Sequence, residues 1–202
     1  DTYKVGPGDE FFINYAVNDI AFSNYIVISK LYDIIIPNLG MINLKNLTLN
    51  ESYNKISNVF MEKYTNAKID ITLTDIRKFY INIYGTNSGP SKILTNPLER
   101  VSDIYEKIII KINIKEDKNL TYRNVILKRD YQNMSIDLLE FKRLGTGVNP
   151  YLLEGDNLYL TNYKKYFDIY GGINNPGRYE YKEGESLIDF IDICGGFIDL
   201  VN

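Results

Sequence analysis

The chain has 202 residues, 45% hydrophobic and 24% charged, with a formal net charge of −3, a single cysteine and no histidine, a balance that suits a soluble globular chain of one large or two small domains. Lysines are interleaved with acids, as in Lys115-Glu116-Asp117-Lys118, which argues against the one-sign basic surface of a nucleic-acid binder. The inventory also removes His-based triads, His-metal sites, internal disulfides and cysteine zinc sites, and apolar runs such as Ile34–Ile36 and Ile108–Ile110 are far too short for a membrane helix.

The chain starts at Asp1 without a methionine, as expected of a processed or trimmed piece, which leaves room for a targeting segment ahead of it. Val5-Gly6-Pro7-Gly8-Asp9-Glu10-Phe11 then offers two readings, a cradle for a phosphate or sugar and a plain turn. A phosphate-binding glycine loop precedes a helix, whose first amides bind the anion. Here the next residues alternate, with Phe11, Ile13, Tyr15 and Val17 on one face and Phe12, Asn14 and Ala16 on the other. That is a strand, so Gly6-Pro7-Gly8 reads as the turn feeding it, and Asp9 as an acceptor of local backbone hydrogen bonds.

Tyr25–Ile28 and Ile34–Ile36 read as further strands, and Pro37-Asn38-Leu39-Gly40 as the turn into Met41-Ile42-Asn43-Leu44. Thr48-Leu49-Asn50-Glu51 has the capping-box spacing. Leu49, Tyr53, Ile56 and Phe60 follow at helical intervals, which predicts a helix ending near Tyr64. Ile69, Ile71 and Leu73 alternate with Asp70, Thr72 and Thr74 as a half-exposed strand.

The remainder contains an internal repeat. At an offset of 86 residues, Ile83-Tyr84-Gly85 matches Ile169-Tyr170-Gly171, Pro90 matches Pro176, and Glu99 and Asp103 match Glu185 and Asp189. Each copy reads as a strand, a Gly/Pro hairpin, a second strand and a short helix. Ser186-Leu187-Ile188-Asp189 caps the later helix and Gly195-Gly196 ends it, leaving Cys194 as a small buried residue at the helix end. Between the copies, Val125–Arg129, Ile136-Asp137-Leu138 and Leu153–Leu160 read as strand-bearing pieces that complete copy one. Gly155-Asp156 leads into a strand like Gly8-Asp9, and Gly145-Thr146-Gly147 is a loop without a dinucleotide fingerprint. Where copy two has Cys194-Gly195-Gly196, copy one has Ile108-Ile109-Ile110-Lys111, alternating onward through Ile112 and Ile114, which reads as a strand in place of the glycine turn. The 18 tyrosines, with no tryptophan, are the one compositional oddity. Aromatic faces stack on sugar rings, but tyrosine also suits pleated surfaces and interfaces, and that is the preferred reading for any one of them.

In their order, these motifs resemble the bacterial outer-membrane polysaccharide export proteins. Val5-Gly6-Pro7-Gly8-Asp9 before a strand is similar to that family's opening signature. Pro37-x-Leu39-Gly40-x-Ile42 and Leu47-Thr48-Leu49 before a helix are similar to its next block. The Gly85-to-Pro90 and Gly171-to-Gly177 hairpins, with Val125, Leu127, Arg129, Ile136-Asp137-Leu138 and Gly155-Asp156, resemble its soluble-ligand-binding β-grasp (SLBB) modules. The resemblance implies an α+β chain: a β-rich N-terminal polysaccharide export domain over residues 1–75, a first SLBB module over 76–163 and the incomplete start of a second over 164–202.

It also implies a non-enzymatic role, without catalytic residues, metal or cofactor. Such proteins form a homo-oligomeric ring in the periplasm and outer membrane through which capsule or exopolysaccharide leaves the cell, working with an inner-membrane polysaccharide co-polymerase. Outer-membrane attachment would come from segments outside this sequence. The alternative is a periplasmic binding module, a monomer holding a glycan or small ligand in one site lined by the hairpin residues Asn87, Ser88, Asn174 and Asn175. A two-carboxylate glycosidase trails both, because nothing in the sequence places an acid pair across a cleft.

Overall fold

The computed structural model describes residues 3–17, 20–64, 68–86, 89–111 and 120–198. The α+β chain divides into two units, one running to Lys78 with Asn96–Leu98, the other holding Phe79–Thr95 and everything from Glu99 onward.

In the first unit, β1 (Glu10–Val17) buries Phe11, Ile13 and Tyr15, as its alternation requires. β2 (Ile20–Val27) pairs antiparallel with it, and β3 (Asp33–Ile36) and β4 (Gly40–Asn43) form a separate hairpin. Thr48 caps α1 (Leu49–Lys63): its Oγ1 accepts from Glu51 N at 3.3 Å, and Glu51 Oε2 accepts from Thr48 N at 2.7 Å. A box of this kind stabilises a helix by about 1 kcal/mol. α1 buries Ile56 and Phe60, with Phe60 edge-on to Tyr15 at 5.1 Å. β5 (Lys68–Asp75) pairs with the other edge of β1, giving the order β2-β1-β5. Tyr53 of α1 accepts from Leu73 N at 3.1 Å, tying helix to sheet.

The second unit opens with β6 (Phe79–Tyr84), a hairpin and β7 (Ser91–Thr95), then α2 (Val101–Lys111). Next come β8 (Val125–Arg129), β9 (Gln132–Ile136), α3 (Leu138–Leu144) and β10 (Asn157–Tyr159). The strands form a five-stranded sheet in the order β7-β6-β10-β8-β9, in which only β6 and β10 run parallel. Its inner face joins Phe79, Ile81, Ile83, Val125, Leu127 and Leu158 to Val101, Ile104, Tyr105 and Ile108 of α2 and Leu138 of α3 in one core. Gly85 lets the chain turn where it crosses β10: a Cβ there would lie 1.9 Å from the Leu160 carbonyl oxygen, at φ +86°.

β11 (Tyr166–Ile169), β12 (Gly177–Glu180) and α4 (Leu187–Ile193) repeat the β6-β7-α2 succession, with β11 and β12 as a two-stranded sheet. Ser186 caps α4 with a full capping box through Asp189.

Two expectations are corrected. Ile108–Ile110 belong to a helix, not a strand, because Val101, Ile104, Tyr105 and Ile108 at helical spacing are all buried and that period outweighs the β preference of isoleucine. Ile112 and Ile114 lie outside the described residues. Ile136-Asp137-Leu138 is a boundary: Ile136 ends β9, and Asp137 caps α3 by accepting from Glu140 N at 2.9 Å.

Candidate functional site

The turn at Gly6–Asp9 fills its own cradle. Asp9 N donates to Gly6 O at 3.0 Å with Gly8 at φ +96°, the arrangement of a type II turn with proline second and glycine third. The wholly buried Asp9 carboxylate accepts from Gly6 N (2.7 Å), Arg77 N (2.8 Å), Tyr3 Oη (2.7 Å) and Arg77 Nη1 (3.0 Å). With Gly8 N donating to Ile28 O at 3.0 Å, the turn holds the chain's own carboxylate where a ligand anion would sit. Leu153–Asp156 repeats the device: Asp156 N donates to Leu153 O at 3.2 Å, Gly155 has φ +91°, and Arg129 grips the buried carboxylate side-on through Nε and Nη2, both at 2.8 Å.

Of the four hairpin residues expected to line a pocket, Asn87 and Ser88 lie outside the described residues. Asn174 and Asn175 sit together in the loop between β11 and β12, facing the end of α4. Asn174 Nδ2 donates to Gly195 O (2.8 Å) and Phe197 O (3.1 Å), and Asn175 Nδ2 donates to Cys194 O (3.0 Å). These bonds satisfy carbonyls at the helix end. Cys194 is buried there, and that burial pushes its thiol pKa up.

An open cleft is formed by other residues. A cleft of about 470 Å³ is lined by Asn124, Ser135, Asn162, Tyr163, Lys164 and Tyr181, with Arg123 and Glu180 also in its wall, between the first copy and the β11–β12 hairpin. Below it lies a buried ionic cluster. Arg123, 1% exposed, donates through Nε to Asp137 Oδ2 (3.1 Å) and through Nη1 to Glu185 Oε2 (2.8 Å), while Nη2 pairs with the second Glu185 oxygen. Lys182 Nζ reaches Asp137 Oδ2 at 3.1 Å. Glu180 accepts from Thr121 Oγ1 (2.6 Å), Tyr122 N (2.9 Å) and Arg123 N (3.1 Å). Burial works against the Arg123 charge, but Glu185 and Asp137 outweigh it and hold the guanidinium above its usual pKa.

Every carboxylate lining the cleft is thus engaged, Glu180 by these donors and Glu183 by Lys165 Nζ at 2.6 Å. Lys164 has no hydrogen-bond or ion-pair partner among the described residues. Amides, hydroxyls, tyrosine rings and one free cation are left to meet an incoming molecule, a set suited to binding a polar, hydroxylated ligand. Sequence reading missed the cleft because its two sides come from different copies of the repeat.

A family model of the SLBB domain matches residues 166–202. No curated protein matched the chain. The segment that carries β11, β12 and α4 is accordingly similar to part of a soluble ligand-binding β-grasp module.

Proposed function

We propose that the chain is the periplasmic portion of a subunit of a bacterial outer-membrane polysaccharide export channel, part of a ring through which capsular or exopolysaccharide is translocated. The observation that carries this reading is the tandem. The SLBB match at 166–202 falls on the second of two copies, and the first copy repeats its strand-hairpin-strand-helix succession at an offset of 86 residues. The β-rich first unit with its Gly6–Asp9 turn stands in the order the export family uses. The role is non-enzymatic: the subunits form a homo-oligomer that works with an inner-membrane polysaccharide co-polymerase, and attachment to the outer membrane is by segments outside this sequence. The cleft favours a second reading, a periplasmic module that binds a glycan or small ligand as a monomer.

Mass measurement in detergent of the protein extended to its natural ends separates the two. A ring-sized homo-oligomer is expected, and a strictly monomeric protein would overturn the channel and leave the binding module.

A further inference from the structure

We propose that the outward face of the five-stranded sheet, with the cleft it runs into, is a binding track for an acidic glycan chain. This deepens the export reading and rests on it for the polymer's being a glycan.

Helices α2 and α3 seal the inner face of that sheet, so alternation points the other residues outward. The registers line them up in rows across the strands. One row runs Lys92, Asn82, Asn157, Lys128, Asn133. The next runs Tyr84, Tyr159, Ile126, Ser135. Tyr80 and Leu94 lie opposite each other beyond the first row, 60% and 47% exposed. None of these outward residues is acidic, in a chain with 26 acids against 23 bases.

The groups present suit one kind of occupant. Asn82 Nδ2 donates to Asn157 Oδ1 at 2.9 Å and Asn157 Nδ2 donates to Gly155 O at 3.0 Å, which fixes both amides and leaves the Asn82 Oδ1 acceptor without a donor among the described residues. Tyr84 and Tyr159 stack at 4.8 Å, making a fixed aromatic ledge beside the amides. Amides beside aromatic rings meet the hydroxyls and the apolar C–H face of a sugar. Neither Lys92 nor Lys128 has an ion-pair partner among the described residues. Three strand spacings separate them, about 14 Å. Ser135, which donates to Asn124 at 3.1 Å, carries the face into the cleft, where Lys164 is the third free cation.

Lysines this sparse match a carboxylate that recurs along a polymer of sugars. They do not match the dense phosphates of a nucleic acid, which call for closely spaced basic groups and free arginines. The arginines nearest the track, Arg123 and Arg129, are held by Asp137, Glu185 and Asp156.

The test is calorimetric titration of the chain with an oligogalacturonate hexamer, beside a neutral maltohexaose and a single-stranded oligonucleotide of equal charge. The uronate is expected to bind, more weakly as salt rises. Lys128→Gln and Lys164→Gln should each weaken it about threefold, as for one exposed ion pair. Tyr159→Ser should weaken it as well, and Lys30→Gln, in the first unit, should leave it unchanged. Circular dichroism checks that each variant is folded. No binding of the uronate, equal binding of maltohexaose or of the oligonucleotide, or lysine variants that bind like the parent would each overturn the proposal. Oligomeric mass is read separately. A monomer that binds the uronate therefore removes the channel and keeps the track, while a ring that ignores the uronate does the reverse.

Discussion

Asp9 and Asp156 show how a buried carboxylate becomes a structural bolt. Each is wholly buried at the end of a tight turn, accepts a backbone N–H from the residue three before it, and meets an arginine from elsewhere in its own unit. Removing such an acceptor leaves several buried donors unsatisfied, which costs more than the net worth of the bonds themselves. Asp9→Ala is therefore expected to destabilise the first unit by about 3 kcal/mol, and Asp9→Asn by less, because an amide oxygen still accepts from Gly6 and Arg77. Urea unfolding followed by tyrosine fluorescence measures both. A change for Asp9→Ala within about 0.5 kcal/mol, the range of an ordinary surface substitution, would show that the turn stands without its acid.

At the scale of elements, legibility followed the range over which each signal acts. The capping box Thr48–Glu51 and the stripe Tyr53, Ile56, Phe60 are local, and α1 forms where they place it. The alternation of Phe11, Ile13 and Tyr15 gave β1 for the same reason. α3 was legible too and passed over: Asp137 caps it, and Gly145 ends it at φ +68°. The cleft and the acid-free sheet face were not legible, since strand order and the docking of one copy on the other are set by long-range contacts. Gly85 belongs with these. Its sequence context marks a hairpin, but only the crossing of Leu160 shows that a side chain is sterically excluded. A matched pair of substitutions isolates that crossing. Gly89→Ala meets nothing within 4 Å and bears only the backbone strain of φ +79°, about 1 kcal/mol. Gly85→Ala adds the clash with the Leu160 carbonyl and should exceed it by at least about 2 kcal/mol. Equal midpoints in chemical denaturation would mean that β10 moves aside freely.

The molecule as a whole uses one supersecondary pattern twice, with different surroundings. Val101 and Ile104 of the first copy are fully buried, whereas Leu187 of the second, at the position that matches Val101, is 70% exposed. Beside the Glu180 hydrogen bonds to Thr121, Tyr122 and Arg123, an ionic cluster joins the copies: Arg123 from the first holds Glu185 of the second, and Arg123 and Lys182 meet at Asp137. Desolvating such charges is expensive, so the cluster contributes little net stability compared with an apolar core, but breaking it strands a buried charge. It thereby fixes how one copy sits on the other, and with it the shape of the cleft above. A double-mutant cycle measures this. Arg123→Met and Glu185→Leu should each cost about 3 kcal/mol, and the double variant clearly less than their sum, with a coupling of about 2 kcal/mol. The same variants should speed amide exchange in both Thr121–Asn124 and Gly177–Glu180, because Glu180 binds the first segment from the second. Additive costs, or faster exchange in only one segment, would mean that the copies are joined by something other than this cluster.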